Sequence, residues 1–352
     1  MATDRRINEI DLLRFLAALG VVFYHYAFRG HAADDLSVVS YPALVPIVKY
    51  AYLGVDLFFM ISGFVIFMTV SSGSLRHFIV SRVTKLYPAF WICCTITFFV
   101  SLTIGGARFP VSLTQYLINM AGLGAFGAEP VDGVYWSLCV EMKFYALVAV
   151  MLMSGAMKRA PLLLWLWLAI SVFATWRHLH AIQNVLIADN AALFIAGAAL
   201  YQIWSGGWSI SIGMLLGAAI CVSTAQAVHR AAHIAAYFNT PIDPFVVAAI
   251  MAVFFVVMLL IATGRTGRLG ERRWVLLGAL SYPLYLVHQN VGYMVFNAVS
   301  PMVGYQVAFW GMVVTAIVMA YVVHTCAERP LAASMKRRLR MAFGGVVAST
   351  SV

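Results

Sequence analysis

A guanidinium and an imidazole share one face of the first apolar segment of this chain. Arg14 and His25 stand eleven positions apart in the run that opens Asp11-Leu-Leu-Arg14 and closes His25-Tyr26. Eleven helical residues turn through about 1100°, roughly 20° past three full turns. The two side chains are then separated by roughly 16 Å of rise, about half the thickness of a bilayer core. Ionisable groups at such depth are expensive and usually face a bundle interior or a water-filled path. The spacing thus predicts a fixed cation near one membrane surface and a candidate acid/base near the other.

Further polar residues interrupt later apolar runs. Asp56 falls in the first turns of a second run, Gly54-Val-Asp56-Leu-Phe-Phe, and Glu141 lies five residues after Trp136 in a fourth. With alternate runs crossing in opposite directions, His25, Asp56 and Glu141 share the outer third of the bilayer. A histidine with carboxylates at equal depth reads as a base with an orienting partner, and the sequence leaves open which carboxylate that is. Ser281, Tyr285 and His288, at i, i+4 and i+7, lie on one face of a ninth run, which Pro283 could kink. Arg82 and Lys85, just ahead of Leu86-Tyr87-Pro88, are placed at the cytoplasmic mouth of the third run, where cations suit a phosphate-bearing cytosolic ligand. Each residue also has a purely structural reading. Arg14 could pair with Asp11 at i, i+3, Asp56 could complement a helix N-terminus, and Ser281 and Tyr285 could tie helices together.

The elements that must position these groups are membrane helices. Of 352 residues, 63% are hydrophobic and only 10% charged, with a mean hydropathy of +0.90, a composition outside the range of soluble domains. Ten spans are expected, over 9–29, 47–71, 86–106, 136–154, 161–177, 185–204, 209–227, 244–263, 274–298 and 303–327. The connection 107–135 carries a weaker apolar piece, Leu113–Phe126, read as re-entrant or interfacial. The expected fold is therefore all-α, a polytopic bundle of about ten transmembrane helices with both termini cytoplasmic. It forms one domain over 1–335, followed by a basic tail over 336–352. No cleavable signal peptide is evident, since Arg14 interrupts the first run, which reads as a retained span.

The net charge of +10 follows the positive-inside rule rather than nucleic-acid binding. Fifteen Lys and Arg gather on the N-terminal side, against Arg29, Lys49, Arg108, Arg177 and Arg230 on the other. Cys93, Cys94, Cys139, Cys221 and Cys326 all sit in apolar segments, which argues against a disulfide framework. His178/His180 and His229/His233 have metal-like spacing but no Cys or carboxylate cluster nearby, so no metal is expected. No GxGxxG, Walker or GxSxG motif is present.

Taken in order, these motifs resemble the membrane-bound acyltransferase 3 family, which includes O-acetyltransferases of bacterial surface polysaccharides. Arg14 and His25 match its Arg-x10-His signature, and Gly54-Val-Asp56-Leu-Phe-Phe through Ser62-Gly63-Phe64 is similar to its second-span motif. Arg82-Val-Thr-Lys85 resembles its Arg-x-x-Arg element, with a Lys that lacks the bidentate fork of Arg. Trp136-Ser137-Leu138 followed by Glu141 is similar to its fourth-span motif. Ser281-Tyr-Pro-Leu-Tyr285-Leu-Val-His288 matches its late Ser/Tyr/His segment, and Glu328-Arg-Pro330 its closing Glu-x-Pro. The matches cover residues 9–330. The chain stops after the bundle, without the esterase-like domain that some members append, so the expectation is that it acts alone or with a separate polysaccharide-assembly partner.

The resemblance implies acyl transfer in the bacterial inner membrane, from a cytosolic acyl-CoA, most often acetyl-CoA, to a hydroxyl of a glycan or lipid-linked saccharide. In that reading Arg14, Arg82 and Lys85 hold the nucleotide end of the donor, and its uncharged arm threads between helices. His25 acts as general base or acyl carrier, Glu141 or Asp56 holds its tautomer, and Trp136, Ser137, Ser281, Tyr285 and His288 contact the acceptor or an oxyanion. The alternative is a secondary transporter or proton-coupled exporter, with the buried Arg, His, Asp and Glu as a relay. No paired broken helices in two halves support it.

Overall fold

The computed structural model describes residues 7–70, 74–122 and 127–342, and among them there are helices and connections but no strand. The first helix, α1 (Asn8–Tyr24), widens into a π-helical turn over His25–Arg29 and ends at Gly30–Ala32. It is followed by α2 (Gly54–Val70), α3 (Leu75–Ile104), the short α4 (Leu113–Met120), α5 (Tyr135–Met153), α6 (Ala160–Trp176) and α7 (His180–Val185). Then come α8 (Ala188–Gly206), α9 (Ile210–Tyr237), α10 (Pro244–Ala262), α11 (Val275–Val287) and α12 (Gln289–Val303). The last are α13 (Tyr305–Val322) and, after a second π-helical turn over Val323–Glu328, α14 (Arg329–Ala342).

Among the described residues, nine helices are long and apolar enough to cross a membrane. The ninth expected span, 274–298, is instead made of two pieces, the short apolar α11 and α12, which meet at His288 with near-helical backbone angles. This span is thus a jointed rod, with Pro283 one turn before the joint. Many outward-facing side chains are large and apolar, among them Phe99, Phe173, Phe245, Val256 and Val314. Such a surface suits lipid, since apolar all-round helices belong in cores or membranes.

Connections on either side identify two ends of the bundle. At the basic end Asn8 Nδ2 donates to Gly270 O at 2.8 Å and Arg76 Nη2 to Arg340 O at 3.1 Å. At the opposite end Arg108 meets Asp35 at 2.7 Å, Lys49 Nζ donates to Pro241 O at 2.6 Å, and Val38 N donates to Asn297 Oδ1 at 2.9 Å. His25 belongs to this second end.

Helix α8 is the buried centre, and its closest partner is α2. A Cβ on Gly63 would run into the backbone of Phe194, and one on Gly197 into the carbonyl of Met60. Backbone-to-backbone approach of this kind is how membrane helices pack when lipid removes any hydrophobic preference for contact. Around this pair lies one apolar cluster, including Phe64, Leu164, Phe194, Leu215 and Met251. A second cluster joins the far end of α1 to α3, α11, α12 and α13 through Tyr26, Phe90, Leu284, Tyr293 and Phe309.

Several helix ends differ from expectation, for local reasons. The third span was expected from residue 86, but α3 starts at Leu75, where Ser74 caps it by accepting from His77 N. Arg82 and Lys85 are therefore two to three turns inside a helix rather than in a loop. Similarly, α9 continues ten residues past the expected stop at 227, so Arg230 stands on a helix and not in an outer loop. Within the 107–135 connection, α4 is only two turns long, capped reciprocally by Ser112 and Gln115, with Leu113 and Leu117 exposed. Residues 123–126 of the expected interfacial piece lie outside the described residues, as do 343–352 of the tail. Residues 336–342 of that tail belong to α14.

Candidate active site

The widened turn that ends α1 brings the half-buried His25 against the fully buried His288 at the α11/α12 joint. His25 Nδ1 is 3.0 Å from His288 Nε2, and the rings meet edge to face with centroids 4.9 Å apart. The network assigns the protons. His288 Nδ1 faces only carbonyl oxygens, Tyr285 O at 2.8 Å and Leu284 O at 3.2 Å, so it carries a hydrogen and leaves Nε2 as an acceptor. His25 Nδ1 faces Val21 O at 2.8 Å and that Nε2 lone pair, so it too carries a hydrogen. The free lone pair of His25 is therefore on Nε2, the tautomer a general base needs.

The partner role expected of a carboxylate is thus occupied by a second histidine. Asp56 instead takes an ion pair with Arg230, whose Nη2 lies 2.7 and 2.5 Å from its two oxygens. The reason is burial: a carboxylate this deep needs a cation, and the extended α9 supplies one. Glu141 Oε1 accepts from Ser62 Oγ at 2.6 Å and from Tyr145 OH at 2.7 Å.

A narrow cavity of about 70 Å³ runs between the two apolar clusters. Its walls hold Arg14, Arg82 and Lys85 together with Ser137, Glu141, Ser281 and Tyr285. Seven of the residues singled out by type and spacing, from α1, α3, α5 and α11, thus line one space. Tyr285 joins it to the histidines, since its carbonyl accepts from His288 while its phenol lies 2.7 Å from Ser137 Oγ. Ser137 in turn donates to Val134 O at 3.0 Å, and Ser281 to Gly278 O at 2.7 Å. Trp136 is elsewhere, half exposed on the other face of α5.

At the cationic end, Lys85 Nζ lies 3.5 Å from Glu328, whose other oxygen is 2.8 Å from His324 Nδ1. The closing Glu-x-Pro thereby anchors Lys85. Arg82 donates to Ser81 Oγ at 2.9 Å and lies over the Tyr145 ring. The Nε atoms of Arg14 and Arg82 are buried without a hydrogen-bond partner. Two orphaned guanidinium donors beside a lysine fit a phosphate-bearing ligand.

One polar residue at the joint carries no motif. Asp132, fully buried in the loop before α5, accepts from Asn290 N at 3.1 Å and Val134 N at 3.2 Å, while Asn290 Nδ2 donates to Val131 O at 3.1 Å. The loop is thereby latched to the first turn of α12, two residues past His288. Burial pushes the Asp132 carboxyl up to about 7 against the opposing pull of the two backbone N–H groups. In sequence, Asp132-Gly133 reads as an ordinary turn. Arg230 was missed for a different reason, the misplaced end of α9. Among the described residues, no three His, Cys, Asp or Glu gather as a metal site.

The chain is 25% identical to nodulation protein 10 of Rhizobium leguminosarum bv. viciae over 273 residues, which are 69% of this chain and 73% of that one. It is 25% identical to acyltransferase MdmB of Streptomyces mycarofaciens over 95% of this chain and 93% of that one. It is 28% identical to the O-acetyltransferase OatA of Staphylococcus aureus over 167 residues, 42% of this chain but only 25% of the relative. No solved structure matches. The family model described as an acyltransferase domain matches residues 7–325. Spanning nearly the whole bundle and every residue of the cavity, that match makes the chain a member of the acyltransferase 3 family of multi-pass membrane acyltransferases.

Proposed function

We propose that this protein is an O-acyltransferase of the bacterial inner membrane. It moves an acyl group, acetyl in the simplest case, from acyl-CoA at the basic, cytoplasmic end of the bundle to a glycan hydroxyl at the opposite end. One observation carries the reading. The His25–His288 pair leaves a free imidazole nitrogen on His25, and the Tyr285 wall beside it belongs to a cavity whose other end holds Arg14, Arg82 and Lys85.

In this reading the three cations hold the phosphates of the donor, which are too polar to be desolvated in the bundle. At about 70 Å³ the cavity is thin, so the donor's uncharged arm enters as side chains part. His25 Nε2 takes the proton of the acceptor hydroxyl as that oxygen bonds to the thioester carbon. The carbonyl oxygen becomes an oxyanion, which Tyr285 stabilises by turning its O–H away from Ser137. Collapse breaks the carbon–sulfur bond, and the imidazolium returns its proton to the departing thiolate. Throughout, His288 Nε2 accepts from His25 Nδ1–H and steadies the transient charge. Ser281 and Glu141 line the cavity that the donor's arm enters, Trp136 lies outside it on the other face of α5, and Asp56 acts at a distance, by fixing α2 to α9. A separate polysaccharide-assembly protein delivers the acceptor.

The test uses full-length protein in nanodiscs, labelled acetyl-CoA and a panel of glycan acceptors, beside His25→Ala. Label transfer or CoA release that falls at least about 100-fold in the variant, with expression unchanged, is the expected result. Equal activity in both proteins removes His25 from the chemistry. Failure to bind or cleave acetyl-CoA removes the donor assignment.

A further inference from the structure

Where α11 gives way to α12, a helix start lies buried inside the bundle. The first N–H groups of any helix lack an intrahelical acceptor, and the N-cap side chain usually supplies one. Here the N-cap of α12 is His288, and its ring does not cap the helix it opens. Its Nδ1 turns back to Tyr285 O at 2.8 Å and Leu284 O at 3.2 Å, in the last turn of α11. That turn back aims Nε2 at His25, 3.0 Å away, and leaves the start of α12 to be capped from elsewhere.

Asp132 supplies that cap from another segment. Its Oδ2 accepts from Asn290 N at 3.1 Å and its Oδ1 from Val134 N at 3.2 Å, so each oxygen serves a different element. A carboxylate suits both contacts: when ionised it has two acceptors and no donor, and its charge complements the N-terminal end of a helix dipole. Asn290 Nδ2 returns a bond to Val131 O at 3.1 Å. From the other side Tyr26 OH, one residue past His25, donates to His288 O at 2.9 Å. The main chain of the joint is thereby held by α1 on one side and by the 131–134 turn on the other.

The same turn reaches the wall of the cavity. Val134 O accepts from Ser137 Oγ at 3.0 Å and from Tyr285 OH at 3.5 Å. One short turn therefore braces both the imidazole that orients His25 and the phenol proposed to meet the oxyanion.

We infer that Asp132 is a positioning residue for the acyl transfer: by capping α12 from outside, it fixes the break at His288 and keeps His288 Nε2 within hydrogen-bond reach of His25 Nδ1. The inference rests on the acyl-transfer reading and assigns it a residue that no motif marks. Both Asp132 oxygens face main-chain N–H groups, so the residue acts on the imidazole pair through the backbone. Hydrogen bonds weaken steeply with distance and angle, and a misplacement of about 1 Å is enough to slow a reaction by about 10²-fold.

The experiment uses full-length protein in nanodiscs with acetyl-CoA. Asp132→Ala is expected to slow CoA release at saturating donor by about 30- to 100-fold, while the Kd for acetyl-CoA, read by calorimetry, stays within about 2-fold. Asp132→Asn keeps one acceptor and should lose less; it supplies the same readings if the alanine variant does not fold. In a His288→Phe background, Asp132→Ala should cost no more than about 3-fold further, because the group it acts through is gone. Nitrogen-15 NMR of histidine-labelled protein reads the pair directly: His288 is expected as the Nδ1–H tautomer in the parent and as a mixture in the Asp132 variants. Unchanged CoA release, losses that multiply with His288→Phe, donor affinity that falls in step with the rate, or an unaltered His288 tautomer overturns the inference. Absence of His25-dependent CoA release from the unsubstituted protein counts instead against the acyl-transfer reading, and the tautomer comparison still decides what Asp132 holds.

Discussion

In the proposed reaction His25 is a base whose orienter, His288, is itself uncharged. A carboxylate partner would hold the imidazolium by charge; here the second ring offers one lone pair, fixed because both carbonyls at its Nδ1 demand a proton. Replacing His288 by Phe is therefore expected to lower kcat by about 10²-fold with little change in donor KM, and His288→Gln to recover part of the loss, because an amide oxygen can still accept from His25. Steady-state kinetics on the two variants decides this, since a merely structural role for His288 would give no rescue by Gln. Asp132 permits a second test. Its folded-state value near 7 lies above the ordinary 3.8, so the folded protein holds this proton more tightly than the unfolded chain does. The stability it adds is complete below about pH 4 and lost as the pH rises to about 7, at most about 4 kcal/mol. Melting temperatures in detergent should fall over that interval, and fall less in Asp132→Asn. Residue types were readable from sequence, since Arg14, Arg82, Lys85, Ser137, Glu141, Ser281 and Tyr285 line one space. Partners were not. Depth alone made Asp56 and Glu141 candidates for His25, whereas three-dimensional neighbours gave Asp56 to Arg230 and Glu141 to Ser62 and Tyr145.

Helix existence followed from apolar runs, and helix ends did not. Hydropathy marks what lipid covers, but α3 and α9 extend beyond the apolar stretch because capping and packing continue where hydropathy stops. This is why hydropathy puts Arg82 and Lys85 only at the mouth of the third span and Arg230 beyond the seventh, whereas all three stand on helices. The joint between α11 and α12 was half visible, in Pro283, yet nothing in the sequence marked His288 as its pivot or the 127–134 loop as its latch. Close approach of α2 and α8 was equally hidden, because small residues say that helices touch without saying which. At Gly197 an added Cβ meets a main-chain carbonyl rather than a movable side chain. Gly197→Leu is expected to cost at least about 1–3 kcal/mol and to show as loss of monodisperse protein on size exclusion after detergent extraction, whereas Gly217→Leu, where an added Cβ meets nothing within 4 Å, should extract like the parent.

For the molecule as a whole, two cavities back onto one helix. One is lined by Arg14, Arg82 and Lys85, the other by Lys143 and Asn184, and Leu86 and Leu138 border both. Truncating both leucines is expected to join the spaces. If the partition guides the acceptor, Leu86→Ala/Leu138→Ala should raise the rate at which water captures the acyl group relative to its transfer, measurable as CoA released per acceptor modified.

The narrowness of the cavity has an electrical consequence. A protein that hands a group across an energised membrane must not short-circuit it, and a continuous column of water from one end to the other would conduct protons. Here the cavity is only about 70 Å³, and Arg14, Arg82 and Lys85 in its walls repel any cation that would enter. Under the proposed acyl transfer, a space this small and this positive would keep ions from following the route of the donor's arm between turnovers.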